Sequence, residues 1–339
     1  MAATRKFLVA LPVRNGGEFL KNCVRSVLGQ SYNPFRLVVL DNASTDGSVA
    51  WLRNLGDSRV KICESATSLS IEENWARICC LQSSDEYLTI IGHDDSLDTN
   101  FLRSMSALID RFPDAKLYHS RFRLIDSRGK IIRSALSAPT VETDHEFLAA
   151  RLAFRRDSFG TGYVFKMKDF IDVGGIPHYK KLMFADDALW LTLMAGSYKA
   201  TLQEECFSYR VHSASISYAP DWRSAFEALY CYLRMLISRA AEDSRIRAAL
   251  SLGIERYLVF WLRSAYFSES RVQRNPREFE QAVQTMAELI APALGLSGSK
   301  QFAKLGQAAL FGRLSRARWI LWRSRKWISL RRASQISRR

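Results

Sequence analysis

Residues 37–48 read LVVLDNASTDGS and contain the pattern that decides the fold. The apolar run with its two β-branched valines predicts a buried strand, and the polar residues after it predict a turn that leads into a helix. The same order of apolar run, polar turn and helical pattern occurs around residues 7–11, 59–63 and 87–91. This alternation is typical of βαβ units around a parallel sheet.

Beyond residue 115 the pattern changes, because residues 115–136 predict a hairpin instead of another βαβ unit. Helical patterns and a strand at 205–211 follow, and beyond Pro220 the periodicity is helical up to about residue 290. We therefore predict three units: an α/β domain over residues 1–218, an all-helical domain over 219–301 and a distinct tail over 302–339.

Length and composition exclude several classes of protein. The 339 residues, with 47% hydrophobic and 24% charged residues, predict an ordinary globular chain with room for about two domains. No apolar stretch approaches the ~18 residues of a spanning helix, and the run at 7–11 is too short for a signal peptide. The six cysteines show neither a disulfide framework nor zinc-ligand spacing. We expect a reduced, cytoplasmic compartment.

The net charge of +15 lies mostly in the tail, since residues 289–339 contain twelve Lys and Arg residues and no Asp or Glu. On a helical wheel the tail is amphipathic, with basic residues largely opposite an apolar face. Such a helix, rich in Trp, is typical of a segment that lies on an anionic membrane surface. The alternative is a helix packed on the protein's own second domain with its basic face in solvent.

A basic chain also suggests nucleic-acid binding, because its isoelectric point is about 9.7. No helix-turn-helix, zinc-finger or aromatic RNA-binding motif accompanies the charge, however, and the tail is poor in Lys. We therefore expect no nucleic-acid partner.

Polar turns follow three of the predicted strands, at 12–17 (PVRNGG), 41–48 (DNASTDGS) and 92–98 (GHDDSLD). In a parallel sheet, ligands bind beyond the carboxyl ends of the strands. Each turn alone is compatible with an ordinary loop or helix cap. Their order along the chain carries more information than any one of them.

Four segments, LPVRNGGEFL, VVLDNASTDGS, ENWARICC and IIGHDD, resemble glycosyltransferase family 2 in order and spacing, as do VGGIP, FADDALWLTL and YRVHSASIS further on. The resemblance covers about residues 5–218. It implies a GT-A fold, an α/β architecture, and inverting transfer of a sugar from a nucleotide-diphosphate sugar, with a UDP-sugar preferred. The acceptor would be a hydroxyl of a glycan or lipid-linked saccharide. With the basic tail, this favours bacterial surface polysaccharide or O-antigen synthesis at the inner face of the cytoplasmic membrane.

The resemblance also implies a divalent cation, Mg²⁺ or Mn²⁺, because a hard cation held by carboxylates neutralises the charge that develops on a diphosphate leaving group. We expect Asp95 to be the first metal ligand, with Asp94 beside it and nearer the donor ribose. Gly92 replaces the first residue of the usual Asp-x-Asp-Asp pattern. His212 matches the position of a further metal or phosphate contact, although a half-buried structural histidine is the alternative.

The donor nucleotide is expected to lie against the strand-end loops. Asp41 would accept a hydrogen bond from the base or the ribose, and the other residues would shape the same pocket. The expected donor-binding residues are Pro12, Arg14, Asn15, Asp41, Asn42, Asp94 and Arg210.

A single displacement also needs a general base for the acceptor hydroxyl. Alignment on Leu189, Trp190 and Leu191 gives this role to Asp186, and sliding the alignment by one residue gives it to Asp187. Acidic residues at this position would also be explained by a helix N-terminus alone.

Two other classes compete. A GT-A-like scaffold without activity would keep the fold, but the acidic residues named above argue against it. A nucleotidyltransferase on a similar sheet would need a Gly-rich first loop with Lys or Arg, and PVRNGGEF lacks that pattern.

Overall fold

A computed structural model describes residues 5–81, 86–212, 221–268 and 276–290. Within these residues a ten-stranded sheet has the order β3-β2-β1-β4-β9-β6-β10-β5, with β7 paired to β6 and β8 paired to β10. The strands are β1 (Phe7–Val13), β2 (Phe35–Asp41), β3 (Val60–Glu64), β4 (Tyr87–Ile90), β5 (Ser96–Leu97), β6 (Leu117–Ile125), β7 (Ile131–Ser134), β8 (Val141–Thr143), β9 (Tyr163–Lys166) and β10 (Tyr198–Arg210).

Helices pack against the sheet and continue into a helical C-terminal region. They are α1 (Gly17–Leu28), α2 (Ser48–Arg53), α3 (Ile71–Ala76), α4 (Phe101–Arg111), α5 (Asp144–Leu152), α6 (Met167–Asp172), α7 (Ala185–Leu193), α8 (Trp222–Glu242), α9 (Ser244–Ser268) and α10 (Pro276–Ile290). None of the described helices is long and apolar enough to cross a membrane.

The first four strands form the predicted parallel βαβ arrangement. β1 pairs in parallel with both β2 and β4, and β2 pairs in parallel with β3. The register sets Val13 opposite Asp41, so the loops after β1 and β2 leave the sheet side by side. This shared edge is the place where the sequence predicts a ligand.

The second half of the sheet differs from the prediction. The strand expected at 205–211 begins earlier, at Tyr198, because β10 pairs in parallel with β6 along both of their lengths. Three short strands, β5, β8 and β9, were not predicted, since two to four residues are too few to show a period. β9 is antiparallel to β4 and β6, and it joins the two halves of the sheet.

The helical C-terminal region packs directly on the α/β part, and the two share one hydrophobic core. Gly253 of α9 lies so close to α5 that a Cβ there would be 2.6 Å from Cβ of Leu152. Arg239 of α8 donates to the carbonyl of Leu191 in α7 (2.7 Å) and forms an ion pair with Asp144. Consequently α8 and α9 support the helix that begins with the two candidate base residues.

The division into domains at residue 218 stays a prediction. Its boundary falls in 213–220, outside the described residues. The predicted tail over 302–339 and the end of the predicted helical domain, 291–301, lie outside them as well.

Candidate functional site

The loops after β1 and β2 are bound to each other by side-chain hydrogen bonds. The Asn15 N–H donates to Oγ of Ser44, and the Thr45 N–H donates to Oδ1 of Asn15, both at 2.8 Å. The Gly17 N–H donates to Oδ2 of Asp46 at 2.9 Å. Asn15 has φ 51°, a left-handed conformation that Asn tolerates better than most residues. Asn15 therefore has a definite structural role in shaping this edge.

Asp41 ends β2 and is only 2% exposed. Its Oδ2 accepts a hydrogen bond from the Ser44 N–H at 3.2 Å, whereas its Oδ1 is buried and has no hydrogen-bond partner among the described residues. A buried carboxylate oxygen without a donor is costly. Asp41 is thus the predicted donor-binding residue that most clearly needs a hydrogen bond from a ligand.

Asn42 has its side-chain amide engaged by the protein. Its Oδ1 accepts from the Leu69 N–H (2.7 Å) and its Nδ2 donates to the Leu69 carbonyl (2.9 Å). Arg77 supports the same wall, because its Nη1 donates to the Asp41 carbonyl at 2.8 Å. These contacts hold the loop 65–70 beside the strand ends. The structure places Pro12 inside buried β1 and Arg14 at the exposed end of that strand.

Asp94 and His212 meet at the same edge, from the loop after β4 and the residues after β10. Oδ2 of Asp94 and Nε2 of His212 are 2.8 Å apart, and the His212 ring packs against Phe19, with ring centroids 5.2 Å apart. The two side chains are 20% and 13% exposed. An oxygen and an imidazole nitrogen are thus presented together at an accessible position.

Arg210 supports this site through hydrogen bonds to backbone carbonyls. Its Nε donates to the carbonyl of Asp94 (2.7 Å), its Nη1 donates to the carbonyl of Asp126 (2.8 Å), and the guanidinium lies over Phe19. These contacts hold the Asp94 backbone in place. The predicted contact between Arg210 and the donor stays a prediction.

Asp95, the predicted first metal ligand, has both carboxylate oxygens engaged by the protein. It is 2% exposed, its Oδ1 accepts from the Arg210 N–H (2.9 Å), and its Oδ2 accepts from Oγ1 of Thr161 (2.7 Å). Burial and the neighbouring Asp94 charge raise the pKa of Asp95 well above its usual range. The contacts therefore favour Asp94, with His212, as the pair that faces a cation, whereas the role of Asp95 as a metal ligand stays a prediction.

Gly92 stands where the resemblance expects an aspartate. A Cβ at this residue would lie 2.8 Å from Oδ1 of Asp94 and 2.9 Å from Oδ2 of Asp95. The two carboxylates occupy the space that a side chain would need. The shortened acidic motif is consistent with this local packing.

Asp186 and Asp187 lie in the first turn of α7 and have different surroundings. Asp187 is 1% exposed, and both its oxygens accept hydrogen bonds from Arg151 of α5, at 2.6–2.9 Å. Asp186 is partly exposed, and its Oδ1 accepts from the Asp187 N–H (2.9 Å). Burial and the adjacent Asp187 raise the pKa of Asp186 to about 7, against the opposing charge of Arg151. Of the two alternatives, the contacts favour Asp186 as the base.

The segment 158–162 connects the Asp94 side of the site to Asp186. Thr161 bonds Asp95, and the Phe159 carbonyl accepts from Nε1 of Trp190 in α7 (3.2 Å). A Cβ on Gly160 would lie 3.6 Å from Cβ of Asp186 and 3.7 Å from the Trp75 ring. The only sequence signal is Gly-Thr-Gly at 160–162, where Gly162 has φ 78° and packs against Phe207.

Phe184, just before α7, is in the left-handed region (φ 61°), which is rare for an aromatic residue. It is 7% exposed and is surrounded by aromatic rings of α8 and α9. Its ring centroid lies 5.7 Å from Tyr232, in a stacked arrangement, and 4.9 Å from Trp261, edge to face. This aromatic clamp, formed by Phe184, Tyr232, Tyr257 and Trp261, fixes the backbone two residues before Asp186.

Comparison with known protein sequences points to one family. Residues 8–169 match the family model described as Glycosyl transferase family 2. Among curated relatives, a putative teichuronic acid biosynthesis glycosyltransferase, TuaG of Bacillus subtilis, is 24% identical over 66% of this chain and 86% of its own length. The glycosyltransferase GlyG of Streptococcus pneumoniae is 27% identical over 29% of this chain, and the match spans 33% of its length.

Solved structures show the same fold. Residues 1–349 of S. aureus TarS, in complex with UDP-GlcNAc, superpose with a TM-score of 0.71 at 14% identity, covering 90% of this chain and 88% of that one. The mannosyltransferase PcManGT from Pyrobaculum calidifontis, in complex with GDP-Man and Mn²⁺, gives a TM-score of 0.51 at 14% identity, with 92% and 88% covered. These likenesses concern the architecture, and they confirm the predicted GT-A fold with a helical C-terminal region.

Proposed function

We propose that this chain, whose residues 8–169 match the family model described as Glycosyl transferase family 2, transfers a sugar from a nucleotide-diphosphate sugar to a hydroxyl of a glycan or lipid-linked acceptor. The observation that carries the proposal is the pair formed by Asp94 and His212, which come from distant parts of the chain and meet at 2.8 Å. They lie at the carboxyl edge of the sheet, where α/β folds bind their ligands.

The donor we propose is a UDP-sugar. The buried, unpartnered Oδ1 of Asp41 requires a hydrogen-bond donor, and an N–H of a pyrimidine base or a ribose hydroxyl would supply one. TarS, which shares the fold of this chain, has been solved in complex with UDP-GlcNAc, and this supports the proposal of a UDP-sugar.

The residues present fit a divalent cation. Among the described residues no group of three or more His, Cys, Asp or Glu side chains could hold a metal ion, so the protein offers Asp94 and His212 as a pair. Mg²⁺ and Mn²⁺ commonly take one or two protein ligands and complete their coordination with phosphate oxygens and water. When bound, the cation would neutralise charge on the departing diphosphate.

Asp186 is the proposed general base. It would accept the proton of the acceptor hydroxyl while that oxygen bonds to the anomeric carbon and the bond to the nucleoside diphosphate breaks, the electron pair leaving with the diphosphate. This single displacement inverts the anomeric centre. A carboxylate with a pKa near 7 is well matched to this task at neutral pH.

The biological setting we propose is assembly of a bacterial cell-surface polymer. The name of the Bacillus subtilis relative, which matches over 86% of its length, supports this assignment. We keep, as a further proposal, that the basic residues after 302 bring the enzyme to the anionic inner face of the cytoplasmic membrane, where lipid-linked acceptors would lie.

The test is a thermal-shift screen of the full chain against UDP-, GDP-, dTDP- and CMP-sugars, with and without Mn²⁺, followed by assay of nucleotide release. Binding to the folded state raises the melting midpoint. We expect a Mn²⁺-dependent shift with UDP-sugars, and its loss in Asp94→Asn. A shift confined to another nucleotide would overturn the choice of donor, and no shift with any of them would overturn the proposed function.

A further inference from the structure

Resting on the function proposed above, we propose that Arg151 is a positioning residue, which acts on the base Asp186 through Asp187 and sets the pH range in which the enzyme turns over. Arg151 does not belong to any of the motifs quoted above. The inference stands on three observations about this part of the structure.

The first observation is the geometry of the ion pair. Nε of Arg151 lies 2.9 Å from both oxygens of Asp187, and Nη2 lies 2.6 Å from Oδ2. The guanidinium is 18% exposed and the carboxylate 1% exposed, so the pair is largely shielded from water. Both oxygens of Asp187 are occupied by Arg151, while the Asp187 N–H donates to Asp186. The residue whose side chain Arg151 holds therefore also contacts the base through its backbone N–H.

The second observation is that Arg151 also holds the loop that faces the base. Its Nη1 donates to the carbonyl of Arg156 at 2.7 Å. The Arg156 side chain pairs with Glu142 at 2.6 Å, and the buried Lys199 contacts Glu142 at 3.1 Å. This series of charged contacts anchors the start of the segment that leads to Gly160, next to Asp186. Arg151 thus contacts both Asp187, in the first turn of α7, and the loop that leads to Gly160.

The third observation concerns the groups that surround Asp186 electrostatically. Asp187 lies on its own helix and Arg151 on α5, and the other titratable groups are tyrosines of β9, α8 and α9, namely Tyr163, Tyr232 and Tyr257. Burial raises the pKa of each tyrosine, so these three stay neutral near pH 7. The charges that act on Asp186 are therefore those of the Arg151–Asp187 pair.

Each substitution should shift the pKa of Asp186 in its own direction. Asp187→Asn removes a negative charge and leaves Arg151 uncompensated, so the pKa of Asp186 should fall. Arg151→Met removes the positive charge and leaves Asp187 beside the base, so the pKa of Asp186 should rise. A charge a few ångströms away shifts a pKa by about 1–3 units. The double variant removes both charges and should return the midpoint toward that of wild type.

The experiment measures nucleotide release from UDP-N-acetylglucosamine and UDP-glucose with Mn²⁺, from pH 5 to 9, in wild type, both single variants and the double variant. Water serves as acceptor, so the acceptor need not be known. We expect the acidic limb of the kcat profile to move by about one unit or more, to lower pH in Asp187→Asn and to higher pH in Arg151→Met. The double variant should lie between them.

Two further measurements separate positioning from folding. Arg151→Lys keeps the charge but loses the planar fork that holds both oxygens, so kcat should fall about tenfold or more with a wild-type midpoint. The carboxyl ¹³C shift of Asp186, assigned with Asp186→Asn, reads its titration without turnover. The affinity for UDP should be unchanged in every variant that folds, because none of these residues touches the donor side.

The outcomes are distinct. Wild-type protein that releases no nucleotide from any UDP-, GDP-, dTDP- or CMP-sugar would overturn the proposed function. Normal turnover with the same midpoint in all four proteins, or single variants whose midpoints move in the same direction, would overturn the role of Arg151. The double variant guards against misfolding, because replacing both members of a buried ion pair destabilises far less than removing one.

Discussion

The donor side and the base side of the site are built in different ways. On the proposed donor side, Asp41 ends β2 and Asp94 lies in the loop after β4, and their hydrogen-bond partners Ser44 and His212 lie at the same sheet edge. On the base side, Asp186 depends on Arg151 of α5, the segment 158–162 and the aromatic clamp from α8 and α9. The donor side is held by contacts close to the strand ends, whereas the base side is assembled from four distant parts of the chain.

This difference has a functional consequence. We expect the proposed donor side to bind a nucleotide as long as the sheet is intact, because the strand ends bring its residues together. The base side needs the helical C-terminal region in place, since α8 and α9 pack around Phe184. Donor binding and turnover should therefore be separable by mutation, and each prediction below tests that separation.

The largest effect is expected from Asp186→Asn. Loss of the general base should reduce turnover about 10²–10⁴-fold, because the amide accepts no proton from the acceptor hydroxyl. UDP affinity, measured by calorimetry with Mn²⁺, should stay within about twofold of wild type. Asp94→Asn is the matched control, and it should lose Mn²⁺-dependent UDP binding. Loss of UDP binding in Asp186→Asn would show that the two sides are not separate.

The second prediction concerns the aromatic clamp. Phe184→Ala should destabilise the protein by about 3–5 kcal/mol, because a large buried ring is removed. It should also lower kcat by about 10²-fold in the fraction that folds, since Asp186 loses its support. Chemical denaturation, UDP calorimetry and nucleotide release measure the three quantities.

Phe279→Ala is the control for the clamp. Phe279 of α10 is 1% exposed and lines the same small cavity as Phe184, but it lies further from α7. Its removal should destabilise the protein by a similar amount with little change in kcat. Equal losses of kcat in the two variants would mean that the helical region contributes to stability but has no specific effect on Asp186.

The contrast between the two sides also explains what the sequence could predict. The parallel strands, their helices and the acidic strand ends were predicted because apolar runs and turn residues are adjacent in the chain. The sequence could not show that Asp95 is buried and hydrogen-bonded, because the hydrogen bonds from Thr161 and Arg210 come from residues 66 and 115 positions away. Arg151 escaped notice for the same reason, since its partner Asp187 lies 36 residues further on.

The third prediction sharpens the donor side. Asp41→Asn replaces the charged acceptor by an amide, so UDP should bind more weakly by about 2 kcal/mol, a roughly thirtyfold loss. Turnover at saturating donor should be nearly unchanged, because the base side is intact. Asp110→Asn serves as the control, since Asp110 pairs with Arg5 before β1, at the opposite edge of the sheet. Equal UDP affinity in Asp41→Asn and wild type would remove Asp41 from the donor site.

The smallest effect separates two glycines, one on each side of the site. A methyl group at Gly92 would approach the Asp94 and Asp95 carboxylates to within 2.8–2.9 Å, so Gly92→Ala must displace Asp94 from its position beside His212. A methyl group at Gly160 meets Asp186 and Trp75 at ordinary distances of 3.6–3.7 Å, so nothing needs to move. We therefore expect Gly92→Ala to weaken Mn²⁺-dependent UDP binding about three- to tenfold, corresponding to roughly 1 kcal/mol. Gly160→Ala should leave UDP binding unchanged. If calorimetry finds the same UDP affinity in both variants, the packing of the carboxylates around Gly92 does not determine how Asp94 is presented to the cation.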